Sequence, residues 1–168
     1  MALRSNHYEL AFEAWLRSQR RPYVAVNERR RPLAAGRSLK SMDFIVYASF
    51  GPHLLVDIKG RRFPRPGESG HAWESWATMD DVDCLLEWER CFGADFRAAF
   101  VFAYDVPPRP DDGEGECWEF RGRQYTFYAV LVSEYLEVMR RRSPKWETVS
   151  LPAAEFRRLR RPAAQLLS

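Results

Sequence analysis

The spacing of apolar residues changes several times along the chain, and each change predicts an element. From Ser5 or Asn6, either a good N-cap, Tyr8, Phe12, Trp15 and Leu16 follow the i, i+4, i+7, i+8 stripe of an amphipathic helix ending near Gln19. Pro22 stops it, and Tyr23-Val-Ala-Val26 reads as a short strand. A polar, Arg-rich connection runs through Lys40. Residues 42–48 and 54–58 are apolar, β-branched-rich runs on either side of the turn signal Gly51-Pro52, which predicts a hairpin. Residues 61–77 have Pro or Gly at 64, 66, 67 and 70, two tryptophans, Trp73 and Trp76, and no regular period, as in a long loop.

Helical spacing returns after Thr78, which forms a capping box with Asp81, and continues through Val82, Leu85, Leu86 and Phe92 to a stop at Gly93. Residues 97–104 are continuously apolar, as in a buried strand. Strand, helix, strand in that order predicts a right-handed crossover between parallel neighbours. A Pro- and acid-rich loop follows at 105–116. Residues 118–120 and 125–130 then form a second predicted hairpin across Arg121-Gly122-Arg123, with a short helix at 133–139. The last thirty or so residues, interrupted by Pro144, Pro152 and Pro162, are expected to wrap the domain. The expected fold is α/β, order α-β-β-β-α-β, with a mixed central sheet flanked by helices and a C-terminal β-hairpin extension. The whole chain, 1–168, forms one domain, with its core at about 5–104 and the extension at about 117–168.

Composition supports one packed domain: eleven Phe, seven Tyr and six Trp in 168 residues are more rings than a disordered chain carries. The net charge of +3 is small, but arginines cluster at 29–31, 61–62, 140–142 and 157–161, a pattern suited to a polyanion or to a solvated basic surface. Cys84, Cys91 and Cys117 form no C-x-x-C pair and are expected to be reduced and mostly buried. No stretch approaches ~18 apolar residues, and no signal-peptide core is visible, so the expectation is a cytoplasmic protein without a membrane partner.

Strand alternation supplies the chemistry. In Leu55-Val56-Asp57-Ile58-Lys59, Asp57 and Lys59 share a face with Leu55, opposite Val56 and Ile58. Asp43 stands at the start of the partner strand, where a charge is expensive to bury without a partner or a metal. Two carboxylates can hold Mg²⁺, with Mn²⁺ as a substitute, and a neighbouring ammonium can activate or orient water for phosphodiester hydrolysis. Helical spacing puts Glu9 beside the apolar stripe, and Glu13 about 40° further toward solvent. Lys40, with Ser38 and Ser41, lies just ahead of Asp43, and Arg61 and Arg62 follow the motif strand, where they could meet a nucleic-acid backbone. His7 and Glu13 are candidates for supporting positions. His7, His53 and His71 lack the spacing of a zinc site.

A helix bearing Glu9, a strand starting at Asp43, then Asp57-Ile58-Lys59, a helix and a buried strand together resemble the core of PD-(D/E)xK nucleases. The resemblance is closest to the archaeal-type Holliday-junction resolvases and covers residues 5–104. Met42 replaces the Pro of the name. The resemblance implies a restriction-endonuclease-like core in which Glu9, Asp43, Asp57 and the Ile58 carbonyl ligate metal while Lys59 serves the water. It also implies DNA as partner, products with 5′-phosphate and 3′-hydroxyl ends, and a homodimer if both strands of a junction are cut. The opening His7-Tyr8-Glu9-Leu10-Ala11-Phe12-Glu13 also resembles the signature of the bacterial HYExAFE family, a name that describes no activity. The competing reading is a non-catalytic nucleic-acid-binding or partner-binding protein on the same fold.

Overall fold

A computed structural model describes residues 6–27, 29, 33–34, 36–108 and 116–168. Ser5, Arg30, Arg31 and residues 109–115 of the acidic loop lie outside the described residues. The elements are α1 (His7–Ser18), β1 (Tyr23–Ala25), β2 (Leu33–Ala34), β3 (Arg37–Ser38), β4 (Phe44–Val46), β5 (His53–Arg62), β6 (Ala77–Thr78), α2 (Met79–Phe92) and β7 (Phe96–Val106). They continue with β8 (Trp118–Phe120), β9 (Arg123–Leu131), α3 (Val132–Val138), β10 (Arg140–Ser143), β11 (Thr148–Ser150), α4 (Ala153–Leu159), β12 (Arg161–Pro162) and α5 (Ala163–Leu166).

The main sheet has the order β1-β4-β5-β7-β9-β12, with β8 also on β9. β5 and β7 are parallel, joined through α2, and the other pairs are antiparallel, so the sheet is mixed as expected. The two central strands read as nearly unbroken apolar runs because helices cover both faces. One face packs Val56, Ile58, Val101 and Phe127 against Phe12, Trp15 and Leu16 of α1 and against Ala163 of α5. The other packs Leu55, Phe100, Phe102 and Tyr104 against Val82 and Leu85 of α2, Tyr135 of α3 and Phe156 of α4.

Several boundaries differ from the sequence reading. β5 extends to Arg62 because its far end pairs with Tyr104 and Asp105 of β7, a partner 43 residues away that no local pattern reveals. β4 is short, Phe44–Val46, and the Arg-rich connection contains the small hairpin β2–β3. β9 is not an appendage: it runs beside β7 from Val106 opposite Gln124 to Ala99 opposite Leu131. The C-terminal residues likewise do more than wrap, since β12 adds to the sheet and β10–β11 pairs with β6. Cys84 is buried, but Cys91 and Cys117 are exposed, against the expectation of mostly buried thiols; all three are free. Cys91 lies in the last, solvent-facing turn of α2, and Cys117 at the entrance to β8. No helix among the described residues is long and apolar enough to cross a membrane.

α1 starts at Asn6, whose side chain accepts from the Tyr8 amide at 3.0 Å. Tyr8 lies flat against β5: a Cβ built on Gly60 would stand 2.1 Å from Tyr8 Cδ2 and 2.5 Å from Cγ. Only a residue without a side chain lets the ring approach the strand this closely. His7 Nδ1 and the Tyr125 hydroxyl are 2.8 Å apart, fixing the same turn to β9. Gly60→Ala is expected to cost about 1–3 kcal/mol in urea unfolding through overpacking. The cost should shrink when Tyr8→Ala is also present, and an equal cost in both backgrounds would refute the clash with the ring as its cause.

Candidate active site

Asp43, Asp57 and Lys59 are brought together where β4 begins beside the middle of β5, around a cleft of about 260 Å³. The Asp43 amide donates to the Val56 carbonyl at 2.8 Å, and its carboxylate Oδ2 accepts from the Ile58 amide at 2.6 Å. That bond lets a carboxylate only 5% exposed remain just ahead of β4, inside the sheet. Asp57 and Lys59 project from the α2 side of β5, on the same face as Leu55. The ammonium of Lys59 lies 3.0 Å from Asp57 Oδ2 and 5.6 Å from the centre of the Phe100 ring.

A residue assigned to helix capping on sequence completes the group. Asp81 does cap α2: its amide donates to the Thr78 hydroxyl at 3.1 Å, and its Oδ2 accepts from the Thr78 amide at 3.0 Å. The same carboxylate also takes Lys59 at 2.8 Å through Oδ2 and Lys40 at 2.5 Å through Oδ1. A Thr-x-x-Asp pattern announces only the cap. A further signal was available in the topology: the helix of a strand-helix-strand crossover begins near the carboxyl end of the strand before it, where Lys59 stands. Lys40 is kept in place from behind, since Trp88 Nε1 of α2 donates to the Lys40 carbonyl at 2.8 Å.

Glu9 lines the same cleft from α1, buried to 7% exposure, and its Oε1 accepts from Asn6 Nδ2 at 3.0 Å. Ser41 and Ile58 line it too. The other candidates lie elsewhere. Glu13, about one step further round α1, accepts from Arg17 at 3.2 Å and from the Tyr23 hydroxyl at 2.9 Å, outside the cleft. His7 faces Tyr125, and burial together with the Arg123 guanidinium lowers its pKa, so the ring is neutral near pH 7. Arg61 is turned inward, its guanidinium stacked 3.8 Å from the centre of the Trp76 ring and bonded to the carbonyls of Gly60 and Trp76. Arg62 forms a two-pronged exposed pair with Glu68 at 3.0 Å. Ser38 is exposed on β3.

The electrostatics of the cleft are unequal. Burial pushes the Asp57 carboxyl pKa up, the Asp81 charge adds to this, and Lys59 only partly offsets it. Burial also acts on Asp81, but Lys59 and Lys40 outweigh it and hold that carboxyl far below the ordinary range. For Lys59, burial works against the charge, yet Asp57 and Asp81 prevail and its pKa rises, so the side chain is an ammonium at neutral pH. With all groups ionised, Glu9, Asp43, Asp57 and Asp81 exceed Lys40 and Lys59 by two negative charges. That surplus, presented entirely by oxygen donors, fits a hard divalent cation. Among the described residues no three such groups are gathered into a metal cluster; Asn6 bonds Glu9, the Ile58 amide bonds Asp43, and Lys59 pairs with Asp57. Of the oxygen donors that line the cleft, Asp43, Asp57, Glu9 and the Ile58 carbonyl are the ones that could hold such an ion.

The sequence matches no protein-family model and no curated protein. Among solved structures, the chain is similar to Hjc of Archaeoglobus fulgidus, a Holliday junction resolvase from an archaeal hyperthermophile, at TM-score 0.58 and 12% identity. The match covers 96% of this chain and 98% of that one. The fold is therefore restriction-endonuclease-like, and the likeness extends past residue 104 through the C-terminal strands, beyond the span legible in the sequence.

The two carboxylates give opposite pH signatures. A carboxyl whose folded pKa is raised costs stability once pH rises through that pKa. Asp57→Asn should therefore be more stable than wild type near pH 7 in EDTA, the difference fading below about pH 4. A depressed pKa adds stability above the ordinary range that is lost on acidification, so Asp81→Asn should be less stable near pH 7 and approach wild type below about pH 4. Urea midpoints across pH check both; an Asp57→Asn variant weaker at every pH would mean that the Lys59 pairing outweighs burial.

Proposed function

We propose that this protein is a divalent-metal-dependent nuclease that hydrolyses phosphodiester bonds in DNA, with branched or junction DNA as its substrate. The observation that carries the reading is the convergence of Asp43, Asp57 and Lys59 in one cleft, with Lys59 held as an ammonium between two carboxylates. The fold likeness to an archaeal resolvase supports the junction substrate.

Glu9, Asp43, Asp57 and the Ile58 carbonyl would hold Mg²⁺ or Mn²⁺. When bound, the ion lowers the pKa of a coordinated water and neutralises phosphate charge. Lys59, protonated at neutral pH, is a donor and not a proton acceptor: it orients the attacking water and meets charge developing on the phosphoryl oxygens. Asp81 keeps Lys59 aimed and draws Lys40 to the rim, where its side chain, 41% exposed, can reach a flanking phosphate. Arg62, further along β5 and outside the cleft, could meet a more distant phosphate that displaces Glu68. Cutting of both strands would require two copies related by a twofold axis, and sedimentation of the protein on junction DNA should then give a dimer. A monomer on DNA would remove that part of the reading.

The deciding assay compares labelled four-way junction, flap, duplex and single-stranded DNA with Mg²⁺ or Mn²⁺ against EDTA. Wild type should cut in metal only, and Asp57→Ala and Lys59→Ala should each slow cutting by about 10²-fold or more. Binding with no cutting on any substrate would transfer the protein to the non-catalytic nucleic-acid-binding class. Asp81→Asn should slow cutting by about tenfold to 10²-fold, with little change in DNA affinity in EDTA. An Asp81→Asn enzyme as fast as wild type would show that Lys59 needs no second carboxylate.

A further inference from the structure

A second cleft, of about 700 Å³, lies beyond Arg61 and is walled by residues 71–76 on one side and by β10, β11 and α4 on the other. Its first wall is pinned carbonyl by carbonyl. The Tyr104 hydroxyl donates to Glu74 at 2.8 Å, the Tyr135 hydroxyl to Ser75 at 2.7 Å, and Arg61 to Trp76. The Leu151 amide adds a bond to the Ser75 hydroxyl at 3.1 Å. Trp73 sits in left-handed backbone, φ 57°, a strained conformation for so large a residue, maintained by its ring packing on Phe63, Tyr104 and Tyr128. This long loop is thus a fixed surface that presents two indoles.

Three guanidiniums face that surface. Arg160 is held 4.3 Å from the centre of the Tyr128 ring and 4.7 Å from that of Trp73, and Arg142 is 5.3 Å from that of Trp76. Arg157 stands on the exposed side of α4. Among the described residues Glu74, 4.0 Å from Arg142, is the only carboxylate lining the cleft, and neither Arg157 nor Arg160 has an ion-pair partner. Guanidiniums ordered on aromatic faces, with uncompensated positive charge, suit phosphates with stacked bases between them. The cleft also adjoins the carboxylate site along the chain. Arg61 is two residues beyond Lys59 on one face of β5, and Trp76 is two residues before Thr78, the cap partner of Asp81.

We propose that this second cleft binds an unpaired segment of nucleic-acid strand, its phosphates on Arg142, Arg157 and Arg160 and its bases along the wall of residues 71–76. A concavity of this size admits a nucleotide or two of a single strand, whereas a duplex is too wide to enter. The assignment of that strand as a flank of the cleaved one rests on the nuclease reading; the binding itself does not.

The test is fluorescence anisotropy of a short labelled oligothymidylate and of a duplex of equal length, in EDTA, with the full chain. Arg142 and Arg157 are exposed, so Arg142→Glu/Arg157→Glu should fold, which thermal unfolding verifies; Arg157→Ala is the milder second variant. The double variant should bind the single strand about tenfold or more weakly, with the salt slope reduced by about 1.4, or about 0.7 for each phosphate that is no longer neutralised. Arg157→Ala should show about half of that slope change. Wild-type tryptophan fluorescence should be quenched by the single strand. Unchanged single-strand affinity in the double variant, or wild-type binding of duplex as tight as that of single strand, would overturn the proposal. The nuclease reading is judged separately: cleft-dependent binding with no cleavage in Mg²⁺ would sustain this site and remove that activity, whereas Asp57→Ala-sensitive cleavage with unchanged binding in the double variant would do the reverse.

Discussion

The cleft is organised by one constraint: an ammonium that is nearly buried must find its countercharge inside the protein. Lys59 is 14% exposed and finds two, Asp57 at 3.0 Å and Asp81 at 2.8 Å. Removing charges from water is costly, and an ion pair offsets that cost only with good geometry and further hydrogen bonds. Here the further bonds come from the capping box, which holds the Asp81 carboxylate independently of Lys59. The start of α2 and the middle of β5 are therefore locked by the same carboxylate. The cost of this arrangement falls on Asp57, whose carboxyl keeps its charge less readily because burial and the neighbouring Asp81 charge push its pKa up.

The opening helix is joined to this centre by three consecutive residues with three different tasks. His7 meets Tyr125, Tyr8 lies on Gly60, and Glu9 reaches the cleft under the hold of Asn6. Four residues on from Tyr8, Phe12 is fully buried against Phe44 and Phe127. The His-Tyr-Glu run is thus a docking device whose last member lines the cleft, and its fit depends on a glycine in a distant strand. Glu13, the second acid of the same motif, serves the helix surface through Arg17 and Tyr23.

The C-terminal half completes the fold on both sides of the sheet. β9 and β12 extend it, while α3, α4 and the β10–β11 hairpin close over the face that carries Lys59 and Arg61. Asp105, 1% exposed, ties this half to the long loop by pairing with Arg65 at 2.9 Å and with Arg123 at 2.8 Å. Arg61 and Arg62, clustered in the sequence, are likewise engaged in structure, one on Trp76 and the other on Glu68. Arg157 and Arg160, which have no carboxylate partner among the described residues, face the second cleft.

Local rules sufficed for much of this. Helix spacing with Asn6 and Thr78 as caps located α1 and α2, and strand alternation placed Asp57 and Lys59 on one face. The strand-helix-strand order predicted the parallel neighbour. Each of these depends on interactions within a few residues or on the handedness of the chain, so a sequence displays them directly. The extent of β5, the integral position of β9, the inward turn of Arg61 and the second role of Asp81 were not visible in that way. They depend on partners that are distant in sequence, such as Tyr104 for Arg61 along the strand and Lys40 and Lys59 for Asp81. Whether a charge points to solvent, to a ring or to another charge is decided by what packing leaves beside it, and only the tertiary structure fixes that neighbour.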